Sequence, residues 1–206
     1  SPDYGMPDEN HYTTAHDMAL IFREAIKNQD FLDIIGTQSF TIDPTNMNPE
    51  SRTYSTHHAL VAQGAPEYYE GCFGGKTGVT EASKNTLVSG ATRDGMTLIA
   101  VAMRADAGQV CQDHISMFDY GFNNFSRTAV KDLPSKITRH LLPAEKYILK
   151  DYKDDMLFET RRTASVSLPS GVDSNALGKT YSITKNPAGL PLLTVTYTYN
   201  DHVVGS

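Results

Sequence analysis

The sequence contains no tryptophan, only two cysteines, and no block of basic residues anywhere along its 206 positions. Phosphate backbones are bound by clustered Lys and Arg that displace counterions, so a net charge of −6 without such a cluster excludes a nucleic-acid partner. No apolar run nears the ~20 residues that a membrane-spanning helix needs, and no charged-then-apolar leader opens the chain. Neither absence places the protein in the cytosol, because a mature form or a fragment has lost both segments. Cys72 and Cys111 lie far apart with no close Cys or His pair beside them, which excludes the usual metal and redox spacings. Two buried free thiols account for them; so does a disulfide, if the elements that carry them pack together. The seven histidines suggest no metal site either. The densest pair, His57-His58, would point to opposite faces of a strand, no acidic or sulfur partner falls at ligand spacing, and both read as solvated loop histidines. His11 and His16 flank a helix start and read as local hydrogen-bonding groups. No metal and no cofactor is expected.

What is present has an α/β pattern. Thr14 followed by Asp17 is an N-cap with its reciprocal acid, and Met18, Ile21, Phe22, Ala25 and Ile26 recur at helical spacing, predicting a helix from about Ala15 to Lys27. Phe31 to Ile35 reads as a short apolar turn, and the stretch from Thr37 to Thr56, rich in Pro, Asn, Ser and Thr, as surface loop with a strand or two. Leu87 to Thr92 and Met96 to Met103 are apolar runs joined by Arg93-Asp94-Gly95, a hairpin signal. With Phe73 to Val79 before them they make three antiparallel strands. Cys111, Ile115, Phe118 and Phe122 step by four, three and four, so they share one face of a helix that would cover the sheet. Beyond Arg127, Leu133-Pro134 and Leu142-Pro143 break the chain. Ala164 to Leu168, Lys179 to Thr184 and Leu192 to Tyr199 then alternate as strands do. These shifts divide the chain into residues 1–126 and a small β-rich domain at 127–206.

The most specific local feature is Gly74-Gly75-Lys76-Thr77-Gly78, a glycine-flanked Lys-Thr-Gly on the first strand of the three. An edge strand exposes unpaired N–H and C=O groups that can bind an extended peptide as an added strand, while its lysine offers a positive charge to a terminal carboxylate. Glycines let a ligand backbone approach closely. Tyr68-Tyr69 could line a groove leading to Lys76, or pack in the core. Alone, a Lys-Thr-Gly tripeptide is a weak signal, since chance produces it often.

Its surroundings make it stronger. The segment from Gly5 to Leu20 (Gly-Met-Pro-Asp-Glu-Asn-His-Tyr-Thr-Thr-Ala-His-Asp-Met-Ala-Leu) resembles the stretch that serine D-alanyl-D-alanine carboxypeptidases of the low-molecular-mass penicillin-binding type carry between their second and third motifs. Gly75-Lys76-Thr77-Gly78-Val79-Thr80, Leu87-Val88, Asp94 to Val101 and Phe118-Asp119-Tyr120-Gly121-Phe122 continue it in order. Val166 to Gly171 resembles, more weakly, the family's β-rich second domain. The resemblance implies a penicillin-binding/β-lactamase-like transpeptidase domain, an antiparallel sheet with covering helices, followed by that small domain. It implies a reaction in which a serine within Ser-x-x-Lys attacks the penultimate carbonyl of a D-Ala-D-Ala stem peptide and forms an acyl-enzyme, with the lysine as base. Carried across by motif, Lys76 holds the substrate carboxylate, Thr77 hydrogen-bonds it, Gly78 keeps the strand open, and the backbone N–H of Val79 supplies half of the oxyanion hole.

The family's Ser-x-x-Lys and Ser-x-Asn lie upstream of the matching segment, so no catalytic side chain is expected here. Ser182-Ile183-Thr184-Lys185 has the first spelling but follows Lys-Thr-Gly and sits in a strand, where the lysine is not one helical turn from the serine. Ser83-Lys84-Asn85 has the second spelling but stands too close to Gly78 to reach across a cleft. Arg104 is displaced from where family members often place an arginine that assists the lysine. The resemblance further implies a stem peptide ending in D-Ala-D-Ala as partner, β-lactams as acylating inhibitors, an upstream segment that completes the site, and a place in the bacterial envelope outside the cytoplasm. Two rivals remain at this stage: a serine β-lactamase, for which the β-rich module has no evident use, and a noncatalytic module that binds cell-wall peptide.

Overall fold

A computed structural model describes residues 8, 10–130, 136–138, 157–159, 164–185 and 191–205. These fall into two compact units that divide between Phe122 and Asn123, where the sequence reading sets the division at 126/127. In the first unit the order is α1 (Ala15–Ala25), α2 (Gln29–Gly36), β1 (Ser39–Ile42), β2 (Arg52–Ser55), β3 (Cys72–Thr80), β4 (Lys84–Arg93), β5 (Met96–Ala105) and α3 (Val110–Asn124), whose last turn runs past the division. Thr14 caps α1, its hydroxyl accepting from the Asp17 N–H at 3.0 Å. That bond satisfies one of the N–H groups a helix start leaves free. Where the sequence reading expects an apolar turn, residues 29–36 form α2. Asn28 caps it by accepting from the Phe31 N–H, and Asp30 sits in the first turn, where a negative charge favours the helix.

β3, β4 and β5 form an antiparallel sheet in that order. Arg93 pairs with Met96, leaving a two-residue loop in which Asp94 and Gly95 both have positive φ; this is the turn whose twist matches a hairpin. The register sorts the sheet into two faces. On one, Leu87, Ala91 and Ala100 meet Phe118 of α3 together with Leu60 and Tyr69. On the other, Phe73 stacks on Phe22 of α1, ring centroids 6.5 Å apart, and Phe31 of α2 meets Phe22 edge-on. The sheet is thus covered from both sides, which is why β4 carries a run of buried residues where a half-exposed strand would alternate.

Tyr69 fastens α3 to the sheet. Its hydroxyl donates to Asp119 of α3 at 2.8 Å and accepts from Arg93 of β4 at 3.0 Å. The Arg93 guanidinium also lies over the Phe122 ring, 4.7 Å from its centroid. Burial, and next the Asp119 bond, push the Tyr69 phenol up to about 12, so it stays a donor at physiological pH. Cys72 and Cys111 pack against the same core as free thiols, so of the two sequence readings the unpaired one holds. Burial pushes the Cys72 thiol up to about 11, which keeps it unreactive.

In the second unit β6 (Phe125–Ala129) pairs with β9 (Ser165–Pro169), β7 (Lys136–Thr138) pairs with β8 (Leu157–Glu159), and β10 (Gly178–Lys185), β11 (Pro191–Tyr199) and β12 (His202–Gly205) form a meander. Val130, Val166, Leu168, Leu177 and Tyr197 are its buried core. The strands expected near 164–168, 179–184 and 192–199 are present as β9, β10 and β11. The Leu133-Pro134 and Leu142-Pro143 breaks lie outside the described residues.

The Tyr69 fastening yields a measurable consequence. Tyr69→Phe keeps the ring in the core but removes the shared hydroxyl from two charged partners, and is expected to cost roughly 1.5–3 kcal/mol, read as a lower urea midpoint at unchanged slope.

Candidate functional site

β3 bonds to β4 along one side, with Lys76 opposite Val88, Thr77 opposite Leu87, Gly78 opposite Thr86 and Val79 opposite Asn85. It is the outermost strand of its sheet, so alternate residues direct N–H and C=O to an unpaired edge. Lys76, Gly78 and Val79 are exposed and Thr77 is half-buried. The Lys76 ammonium donates to the Thr77 carbonyl at 2.6 Å. No carboxylate pairs with it among the described residues. The structure therefore brings the four residues read from the sequence together on one accessible strand segment, cation included.

Two glycines set how closely this strand is held. A Cβ built at Gly75 would stand 2.1 Å from the Val88 carbonyl and 2.6 Å from Nε2 of His58. Gly74 has φ +149, and a Cβ there would stand 2.6 Å from Ile35 of α2. Neither position has room for a side chain, and at Gly74 the backbone conformation disfavours one as well, so the glycines serve packing beneath the strand as well as access above it.

Three grooves surround the segment. One, of about 440 Å³, lies between β3 and the β1–β2 hairpin and is lined by Ile35, Phe40, Tyr54, His58, Gly75 and Lys76 among others. A second, of about 240 Å³, lies on the α1 side and is lined by Met18, Lys76, Gly78, Val88 and Met103. A third, of about 400 Å³, holds Tyr12, Thr80, Ser83 and Arg104. Lys76 lines the first two and Arg104 only the third, so the geometry does not bring Arg104 to the lysine. Tyr68 is exposed while Tyr69 is buried, and of that pair the second belongs to the core.

The decoy motifs are absorbed by structure. Ser83 bonds Thr80 in the tight turn between β3 and β4. Asn85 follows within β4 and reaches the Ala105 carbonyl at 3.5 Å. Ser182 lies in β10, a strand of the second unit, where a residue three places on is not one helical turn away. No group of three His, Cys, Asp or Glu side chains suited to a metal occurs among the described residues, and no helix among them is long and apolar enough to cross a membrane.

His58 was missed as a site neighbour. The sequence reading makes it a solvated loop histidine, yet it is only 4% exposed, wedged behind Gly75. Among the described residues neither ring nitrogen has a hydrogen-bond partner, and burial lowers its pKa to about 4. Behind the same sheet lies His114, fully buried, its ring nitrogens 2.9 Å from the Val110 carbonyl and 3.2 Å from the Ala100 carbonyl. Burial lowers its pKa too, against the pull of those carbonyls. No periodicity marks His58, because what buries it is a strand arriving from later in the chain.

Both histidines bind protons less readily in the folded protein than in the unfolded chain. Stability is therefore full above the ordinary histidine pKa of 6.5 and falls as pH drops from there toward about 4. Urea midpoints measured across this window are expected to decline, and the decline is expected to be shallower in His58→Gln.

Compared with known proteins, residues 2–107 match the family model described as D-alanyl-D-alanine carboxypeptidase. D-alanyl-D-alanine carboxypeptidase DacB2 of Mycobacterium tuberculosis is 33% identical over 121 residues, covering 56% of this chain and 38% of the relative. D-alanyl-D-alanine carboxypeptidase DacF of Bacillus subtilis is 26% identical over 122 residues, covering 59% and 30%. A mutant Streptomyces DD-transpeptidase superposes with a TM-score of 0.52 at 27% identity, over 58% of this chain and 45% of that one. The chain thus spans less than half the length of these relatives. Their likeness supports the expected fold class, a mixed α/β penicillin-binding type. With an accessible Lys-Thr-Gly edge strand inside a match that runs over residues 2–107, this chain belongs to the D-alanyl-D-alanine carboxypeptidase family.

Proposed function

We propose that this chain is the carboxylate-recognising portion of a serine-type carboxypeptidase that removes the terminal D-alanine from peptidoglycan stem peptides through an acyl-enzyme. The observation that carries the reading is the exposed Lys76 on an unpaired edge strand. An extended peptide adds to that edge by main-chain bonds, which fixes its direction and register. Lys76 attracts its terminal carboxylate, the Thr77 hydroxyl donates to it, and the Val79 N–H faces the carbonyl that becomes an oxyanion. Gly78, lacking a side chain, leaves the edge open between them. A β-lactam that carries a carboxylate near a strained carbonyl presents the same pair of groups and takes the same place. On this reading the working protein acts outside the cytoplasm, in the bacterial envelope.

The nucleophile belongs to an upstream segment. Here no Ser-x-x-Lys precedes Lys76, and Ser182 lies on a strand of the second unit. The residues present bind and polarise but do not form an ester, since without the nucleophile the covalent route is lost and the remaining groups offer only binding and electrostatics. The same observation favours a second reading, that the chain acts as a noncatalytic binder of cell-wall peptide.

Two measurements test this reading. Incubated with a labelled penicillin, the chain is expected to show no covalent mass increase, and to gain one when the upstream segment is supplied; labelling of the chain alone would overturn the assignment. In a binding titration with acetyl-D-Ala-D-Ala, Lys76→Ala is expected to weaken affinity about threefold to tenfold, Lys76→Arg less so, and a peptide amidated at its C-terminus is expected to bind the wild type no better than Lys76→Ala binds the free acid.

A further inference from the structure

We propose that the groove between β3 and the β1–β2 hairpin is a subsite for the side chain of the ligand's terminal D-residue, built for an extended, uncharged aliphatic chain where D-alanine offers a methyl group. The proposal rests on the carboxylate role given above to Lys76. With the carboxylate at Lys76 and Thr77 and the preceding carbonyl at Val79, the ligand runs antiparallel to β3 and its last residue is the group nearest Gly75. The groove opens there: Gly75, Lys76 and Thr77 form its β3 wall.

Its size and lining fit such a chain. The volume is about 440 Å³, whereas a methyl group needs little more than the ~30 Å³ that one water takes up in the liquid. Phe40 and Tyr54 stand directly opposite each other on the hairpin and line it with Ile35. Phe40 is 64% and Tyr54 55% exposed, so these aromatic surfaces are unspent on the core. An apolar groove that ends at an unpaired cation is complementary to a ligand with an apolar arm and a terminal anion. A charged arm is disfavoured, because a second cation meets Lys76 and a second anion competes for it.

The buried wall makes the same point independently. His58 lines the groove at 4% exposure, with neither ring nitrogen hydrogen-bonded among the described residues. Burial keeps the ring neutral near pH 7. It therefore adds no charge beside Lys76. The subsite thus suits an uncharged aliphatic side chain.

Titration of the isotopically labelled chain with acetyl-D-Ala-D-Ala and acetyl-D-Ala-D-norleucine, followed by amide NMR shifts, tests this. The norleucine peptide is expected to bind about 3-fold tighter or more, as one or two buried methylenes provide, and to shift residues of β1 and β2 that the alanine peptide leaves in place. Phe40→Ala, at a site too exposed to matter for folding, is expected to bring the two affinities together, and Phe40→Leu to keep them apart. Equal or weaker binding of the norleucine peptide, or a preference that survives both Phe40→Ala and Tyr54→Ala, overturns the subsite while leaving the carboxylate role of Lys76 intact. If neither peptide shifts Lys76 or Thr77, the carboxylate role itself fails and the subsite with it.

Discussion

The first unit depends on how closely one edge strand can be held without being covered. β3 has β4 on one side and an open edge on the other, and such edges invite aggregation unless something manages them. Here the management is local: a lysine stands on the open segment, and the strand leaves β4 after Thr80 in a tight turn closed by Ser83. What anchors it is the room left by missing side chains. At Gly75 a Cβ would enter the space of the Val88 carbonyl, and at Gly74 that of Ile35. Removing side chains at these two positions lets the sheet, α2 and His58 close up beneath the strand while its outer edge stays available.

The two covered faces of the sheet divide the remaining work. On the α3 face the core is closed by an aromatic cluster and by the Tyr69, Arg93 and Asp119 network, and histidines sit where only neutral rings are tolerated. On the α1 face Phe22 and Phe73 stack beneath the start of β3. Farther along that face Met18 and Met103 line a groove with Lys76. Packing is therefore tight where β3 begins and loose where Lys76 emerges. The gradient follows the chain: Gly74 and Gly75 are buried, and from Lys76 onward the strand is mostly exposed.

Much of this arrangement could be read from residues alone. The hairpin at Asp94-Gly95, the capped helix after Thr14 and the single apolar face of α3 are local signals, set by turn chemistry, capping and periodicity. The Lys-Thr-Gly strand was legible because its glycines and its neighbours recur in a known order. Three features were not. α2 is a short helix whose apolar positions run together from Phe31 to Ile35, so periodicity is silent, and only the Asn28 cap and Asp30 mark it. His58 looks like any polar loop residue, since its burial is imposed by Gly75, which is distant in sequence. β6 begins directly where α3 ends, with no glycine or proline to announce the change.

The same exposure that makes Lys76 accessible also limits what it does unaided. An ion pair in open water contributes roughly 0–1 kcal/mol, because solvent screens both charges and the long side chain loses freedom. The identical pair is worth several times more once water is excluded, as the effective dielectric falls. On the proposed reading the Val79 N–H would be weakened as an oxyanion donor for the same reason, since Val79 is 72% exposed. The groups on β3 are thus oriented but not desolvated. On the proposed reading, a segment that covered this strand would contribute more than a nucleophile, because by displacing water it would raise the electrostatic worth of Lys76, Thr77 and the Val79 N–H together. On that reading recognition and catalysis would be coupled through solvent exclusion, with the residues of this chain setting the direction of binding and the covering segment its strength.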